Sequence, residues 1–295
     1  MKDPIWSGVL RRINQRIDSS YTLVRPLSGG RQGSAWIVTD ETEPTGAEWV
    51  LKWTVNQGLA GRRQETAWFV ERLVDRGYPT PRWHAWGAFE DGLAFMIAAP
   101  FEGTIASWNS LNADTLVKAV EQQAGLGRPG QASWSDYMRE ALTVDDGPRG
   151  DIAVGGDGAT FLHLIDEASA SLEDVLLPAT DAVHGDLEAG NILVAHPSDP
   201  HSPIGIIDID ACGAGTRAID YAWLVRDCTT HNAPASTTSR LRHAGIAVAG
   251  FEVWAACVAF ACLELVAFVE RSGNRTGAVA EIRRLTPLLR QVSTN

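Results

Sequence analysis

The stretch His184-Gly185-Asp186-Leu187-Glu188-Ala189-Gly190-Asn191-Ile192-Leu193-Val194, followed by Ile206-Ile207-Asp208-Ile209-Asp210, decides how the rest of this chain is read. Asn191-Ile192-Leu193-Val194 and Ile204-Gly205-Ile206-Ile207-Asp208 are short apolar runs joined by a turn rich in Pro, Ser and Asp, the pattern of a hairpin. Asp186 lies five positions before Asn191 at the mouth of that hairpin, and the return strand delivers Asp208 to the same end. Phosphoryl transfer uses such a set. One carboxylate orients the acceptor hydroxyl and takes its proton, while an amide and a second carboxylate hold Mg²⁺ on the nucleotide phosphates. An Asx-rich loop with acids capping turns is the plainer alternative, and it does not account for the whole string.

Upstream of this stretch the first third of the chain reads as strands with one helix. Tyr21 to Leu27, Ala35 to Thr39, Trp49 to Val55 and Leu93 to Ala99 are β-rich runs, and Arg62 to Arg76 is a helix stopped by Gly77, Pro79 and Pro81. Between the first two strands lies Ser28-Gly29-Gly30-Arg31-Gln32-Gly33-Ser34. Gly29, Gly30 and Gly33, with Ser34 closing the loop, let backbone N–H groups approach phosphates with no Cβ in the way, or simply turn a hairpin. In the third strand Trp49, Leu51 and Trp53 share one face and Val50, Lys52 and Thr54 the other. Lys52 is thus an ammonium amid apolar residues, and it needs either a partner or an edge position. From Ser107 onward the pattern is helical, with segments near Ala113 to Ala124, Thr160 to Leu176 and Arg240 to Arg271. Thr143 to Gly158, rich in Gly and Asp, reads as a flexible insertion.

Composition limits the function classes. The chain has 295 residues, 45% hydrophobic and 21% charged, with eleven Trp, which suits one large domain or two joined lobes with a sizeable core. A net charge of −11 argues against a nucleic-acid partner and welcomes a cationic ligand. Met1 to Ser20 is charged throughout, without the apolar run of a secretory signal, so a cytoplasmic location is expected. Cys212, Cys228, Cys257 and Cys262 lack metal-type spacing and read as free buried thiols. Val253 to Leu263 is too short for a bilayer and reads as a buried core helix, so no membrane partner is expected. Lysine occurs only at Lys2, Lys52 and Lys118 among 25 lysines and arginines, which singles out Lys52 further.

The string around Asp186, with the glycine-rich loop and Lys52, resembles the aminoglycoside phosphotransferase and choline kinase group of small-molecule kinases. The resemblance implies an α+β, bilobal, protein-kinase-like fold, with a small antiparallel-sheet N-lobe bearing one helix and a larger, mainly helical C-lobe. It places the nucleotide-binding lobe at 1–97 with a leading helix in 1–20, a hinge at 98–103, and the C-lobe at 104–295 with the catalytic loop at 184–191 and the metal segment at 206–210. It implies that Asp186 is the catalytic base, that Asn191 and Asp208 bind Mg²⁺, and that backbone groups of Ala98 and Ala99 meet the nucleobase of ATP, or of GTP. Lys52 then holds the α- and β-phosphates, paired with Glu65, with Glu71 as the alternative. His184 packs within the loop and Asp220 braces it. The sequence departs from the group at Glu188-Ala189, where His-Pro is common, and at Ile209, where an aromatic residue is common.

The segment between Asp208 and Asp220 is short and no Ala-Pro-Glu motif follows it, so the acceptor is a small molecule rather than a protein. Glu188, Asp210 and Glu264 are candidate contacts for a polycationic acceptor, and Asp210 could equally serve a second metal or a turn. The expected activity is transfer of phosphate from ATP, with Mg²⁺, to a hydroxyl of a cationic antibiotic, of aminoglycoside or basic peptide type, by a monomer or homodimer. The alternatives are a metabolic kinase acting on choline, homoserine or a sugar, and a catalytically inactive nucleotide-binding regulator.

Overall fold

A computed structural model describes residues 4–27, 35–42, 46–128, 133–153, 155–173, 175–199 and 201–293. Gly29, Gly30, Gly33 and Ser34 lie outside the described residues. The chain divides into two compact units, Met1–Asp75 with Pro79–Glu102, and Arg76–Tyr78 with Gly103–Asn295.

The first unit holds α1 (Pro4–Ile17), β1 (Tyr21–Pro26), β2 (Ala35–Asp40), β3 (Glu48–Val55), α2 (Gln57–Asp75), β4 (Trp83–Ala88) and β5 (Leu93–Ala98). The strands form one antiparallel sheet in the order β1-β2-β3-β5-β4. The alternation in β3 sorts its faces as expected. Leu51, with Trp49 and Trp53 beside it, packs in the cluster built by Trp6, Leu10 and Ile13 of α1 with Tyr21, Leu23, Val38, Phe95 and Ile97. The Trp6 ring lies 5.3 Å from Trp36 and 5.2 Å from Trp53, so indole contacts help hold α1 to the sheet. Each fully buried side chain of this size contributes about 1.5–3 kcal/mol. α2 starts earlier than the sequence pattern suggested and buries Ala67, Phe69, Val70 and Leu73. β4 was not foreseen, because Trp83-His84-Ala85-Trp86-Gly87-Ala88 lacks β-branched residues. It is a strand because β5 offers it a ladder partner.

The second unit runs β6 (Thr104–Ile105), α3 (Ala113–Glu121), α4 (Trp134–Thr143), α5 (Pro148–Asp151), α6 (Asp157–Ser169), β7 (Asp181–Val183), β8 (Ile192–Val194), β9 (Ile204–Ile206), β10 (Gly213–Gly215), α7 (Ala218–Thr230), α8 (Ala235–Arg271) and α9 (Arg275–Ser293). β8 and β9 form the expected hairpin, with β6 on its outer edge, and β7 pairs with β10. A capping box starts α4: the Ser133 hydroxyl accepts from Asp136 N–H, and the Asp136 carboxylate accepts from Ser133 N–H. That cap fixes the following residue, Trp134. The segment expected to be a flexible insertion, 143–158, instead carries α5 and the start of α6. Three of its four acids are paired, Asp145 with Arg149 (3.6 Å), Asp151 with Arg271 (2.7 Å) and Asp157 with Arg283 (2.8 Å). α8 breaks at Gly250, whose φ of +74° suits glycine, and the stretch from Val253 to Leu263 is buried between neighbouring helices.

Candidate active site

β7 ends at Val183 and hands the chain to His184, whose backbone N–H donates to the Asp220 carboxylate at 2.7 Å. The next N–H, of Gly185, donates to the other Asp220 oxygen at 3.0 Å, and the Gln123 amide adds a third donor at 2.7 Å. Asp220 is fully buried. Burial pushes its carboxyl upward, while these three N–H bonds pull it back. It braces the turn, as expected. His184 Nδ1 accepts from Asp186 N–H at 3.2 Å, so Nε2 is the protonated nitrogen and donates to the Ile207 carbonyl at 3.0 Å. His184 thereby ties the turn before Asp186 to the segment carrying Asp208 and is a structural residue.

Gly185 has a φ of +83°, and a Cβ there would lie 2.1 Å from a ring carbon of Trp134. The Trp134 indole N–H in turn donates to the Ala211 carbonyl at 3.0 Å. One tryptophan therefore lies on the turn before Asp186 and reaches the turn after Asp208. Asn191 closes the arrangement: its amide Nδ2 donates to the Asp186 carbonyl at 2.7 Å and to Asp186 Oδ2 at 3.1 Å. Oδ1 remains as the acceptor of that amide. Ile207 N–H donates to the Asn191 carbonyl at 2.9 Å, which brings the two segments together.

Asp208 is exposed and stands in the left-handed region at φ +62°, ψ +40°, between β9 and a tight turn over Ile209–Ala211. A non-glycine residue there costs of order 1–3 kcal/mol and persists only where its surroundings demand it. Among the described residues no group of three His, Cys, Asp or Glu converges. Asn191 Oδ1 and the Asp208 carboxylate are two hard oxygen donors, a set that suits Mg²⁺, which takes few protein ligands and completes its shell with phosphate and water.

In the first unit Lys52 pairs across the sheet with Ala35 on β2 and Met96 on β5, so it stands in a central strand and not at an edge. It lies on the face opposite Leu51. On α2, Glu71 is exposed, 3.9 Å from Arg82. Glu65 is half-buried, and its Oε1 is buried without a hydrogen-bond partner. Ala98 is the last paired residue of β5, and Ala99, exposed, follows it.

The candidate acceptor acids stand in different surroundings. Glu188 accepts from Arg226, a 2%-exposed guanidinium that lies 4.1 Å over the Trp223 ring, at 3.0 Å. Glu264 accepts from the Tyr137 hydroxyl at 2.6 Å and has Arg271 at 3.9 Å. Burial raises the Glu264 carboxyl, against the pull of Tyr137 and Arg271. Asp210 lies in the turn after Asp208. Sequence reasoning missed Trp134 and Asp227. Asp227, on α7, is buried, and its Oδ2 accepts from Ala189 N–H and from the Trp108 indole, each at 3.0 Å. A carboxylate inside the otherwise buried run of α7 was the available signal.

Comparison with known proteins agrees with this geometry. The profile described as the phosphotransferase enzyme family matches residues 23–257. A thermostable mutant of aminoglycoside phosphotransferase APH(4)-Ia, in ternary complex with AMP-PNP and hygromycin B, is 16% identical, with a TM-score of 0.65 over 97% of this chain and 98% of that one. The GDP complex of wild-type aminoglycoside 2'-phosphotransferase-IIIa is 15% identical, with a TM-score of 0.60 over 99% of each chain. Plasmodium vivax ethanolamine kinase is 12% identical, with a TM-score of 0.57 over 94% of this chain and 85% of that one. No curated protein sequence matches the chain.

Proposed function

The chain belongs to the phosphotransferase enzyme family and is a small-molecule kinase, and from that premise we propose that it transfers the γ-phosphoryl group of ATP, with Mg²⁺, to a hydroxyl of a small cationic antibiotic of aminoglycoside or basic peptide type. The observation that carries the transfer step is the clamp of Asn191 on both the carbonyl and the carboxylate of Asp186. It fixes Oδ2 of the base and leaves the second oxygen to accept from an incoming hydroxyl. Asp186 takes the hydroxyl proton as the oxygen takes up the γ-phosphoryl group and ADP leaves with the bridging oxygen. Asn191 Oδ1 and Asp208 would hold Mg²⁺, which when bound neutralises charge on the phosphate oxygens. Lys52, steadied by Glu65, holds the α- and β-phosphates; the unpartnered Glu65 Oε1 and the surface pairing of Glu71 favour Glu65 for this role. Gly29, Gly30, Gly33 and Ser34 are assigned to the phosphates, and the backbone groups of Ala98 and Ala99 to the nucleobase. GTP is the alternative donor.

A net charge of −11 and the acids Asp210, Glu188 and Glu264 support a cationic acceptor. The pairing of Glu188 with Arg226, and of Glu264 with Tyr137 and Arg271, lowers the number of uncommitted carboxylates. That pairing favours an acceptor with few positive charges and supports a second reading, a metabolic kinase for choline, homoserine or a sugar. A nucleotide-consumption screen against aminoglycosides, basic peptide antibiotics, choline, homoserine and sugars separates the two, together with drug tolerance conferred on a sensitive host. Asp186→Ala should abolish transfer with the melting temperature and nucleotide affinity retained. Turnover by that variant would remove Asp186 from its role.

A further inference from the structure

Ala189–Asn191 is a single 3-10 turn, and the residue before it, Glu188, supplies no side-chain cap. The first N–H of such a turn has no partner within the turn and must find one elsewhere. Here Ala189 N–H finds the Asp227 carboxylate, which is distant in sequence and rises from the last turns of α7. Asp227 is 3% exposed. Its Oδ2 also accepts from the Trp108 indole, and its Oδ1 lies 2.9 Å from Nδ1 of the exposed His231. Oδ2 thus carries two hydrogen bonds, one of them spent on the turn that ends in Asn191.

We propose that Asp227 is a positioning residue: it caps the Ala189–Asn191 turn from outside and thereby sets the distance at which the Asn191 amide grips Asp186. The turn is short, so a shift of its first residue is transmitted directly to its last. The Asn191 amide has two bonds to Asp186, at 2.7 and 3.1 Å, and both depend on that position. Asp227 itself touches neither of the proposed reacting groups. It acts through Ala189 and Asn191, and its loss should be felt in turnover more than in nucleotide binding. The effect on turnover rests on the phosphotransferase reading, whereas the capping bond does not.

Three variants test this. In Asp227→Asn a neutral oxygen replaces a charged acceptor, and a charged acceptor is roughly twice as strong, so amide exchange at Ala189 should speed up about tenfold. In Asp227→Ala the acceptor is lost and exchange should speed up about a hundredfold. Trp108→Phe removes the other donor to the same oxygen and leaves Ala189 held. Exchange is read by NMR on the ligand-free chain, and turnover by hydrolysis of Mg²⁺·ATP with water as the acceptor. The expected result is a kcat lowered about tenfold or more in Asp227→Ala, with severalfold loss in Asp227→Asn, KM for ATP within about threefold of wild type, and both kcat and Ala189 protection retained in Trp108→Phe. Unchanged exchange at Ala189 in Asp227→Asn overturns the capping. A kcat lost equally in Trp108→Phe and Asp227→Ala shows Asp227 to be an anchor for Trp108 alone, and overturns the positioning role. Should the wild-type chain hydrolyse no ATP, water fails as the acceptor on its own account, and the exchange comparison still decides the cap.

Discussion

Replacing Gly185 with alanine isolates two separate physical costs at one position. The backbone at Gly185 has a φ of +83°, where an L side chain costs about 1–2 kcal/mol. The added Cβ would also stand 2.1 Å from one Trp134 ring carbon and 2.4 Å from another, well inside contact distance. The ring cannot swing away freely, because its N–H is held by the Ala211 carbonyl at 3.0 Å. Overpacking of this kind costs about 1–3 kcal/mol, so the whole substitution should cost about 2–5 kcal/mol. At about 2–4 °C per kcal/mol the melting temperature should fall by at least about 4 °C. Trp134→Leu removes the ring, so in the double variant the overpacking part vanishes and the backbone part stays. Thermal unfolding of the two single variants and the double variant closes the cycle. The double variant should be more stable than the summed single effects imply, by about 1–3 kcal/mol. A Gly185→Ala cost below about 1 kcal/mol, or strict additivity with Trp134→Leu, would refute the account of the turn.

Three further expectations follow from named groups. Burial raises the Glu264 carboxyl, so its ionised form weighs against folding above its folded-state pKa, and that penalty fades as pH falls toward the ordinary carboxylate value. Glu264→Gln keeps an acceptor for Tyr137 and should raise the melting temperature at neutral pH, with the gain shrinking on acidification; a pH-independent difference would contradict this. Burial pushes the Cys228 and Cys262 thiols up to about 12, and Cys257 is fully buried. Labelling of these cysteines by a thiol reagent should therefore follow the unfolding rate, and rapid stoichiometric labelling of the native chain would show the burial to be wrong. Lys52→Arg keeps the charge but replaces a compact ammonium with a planar fork in a central strand, and turnover of Mg²⁺·ATP should fall about tenfold or more; an unimpaired variant would return Lys52 to a structural role.

Most elements around the candidate site were legible where one periodicity or one string dominates. β3 declared itself by alternation, the β8–β9 hairpin by two apolar runs and a polar turn, and α2 by its Gly-Pro stop. β4 stayed hidden because its strand state comes from pairing with β5 and not from its own residues. The segment 143–158 was misread because its glycines and aspartates suggest a loop, while arginines on α8 and α9 supply partners for Asp151 and Asp157. The acids Glu188 and Glu264 were visible as charges. Their engagement by Arg226, Tyr137 and Arg271 was not, since those partners lie far away along the chain.

By itself the sequence determined which side chains are available for chemistry: a carboxylate, an amide and a second carboxylate at hairpin spacing, and one lysine in an apolar strand. Local pattern suffices for these because strand and turn periodicities depend on near neighbours. Tertiary structure alone decided how the Asp186 turn is held. Asp220, Asp227 and Trp134 reach it from α7 and α4, elements tens of residues away, and each meets a backbone group that carries no signature in sequence. A backbone N–H is the same at every residue, so only the fold can assign its partner.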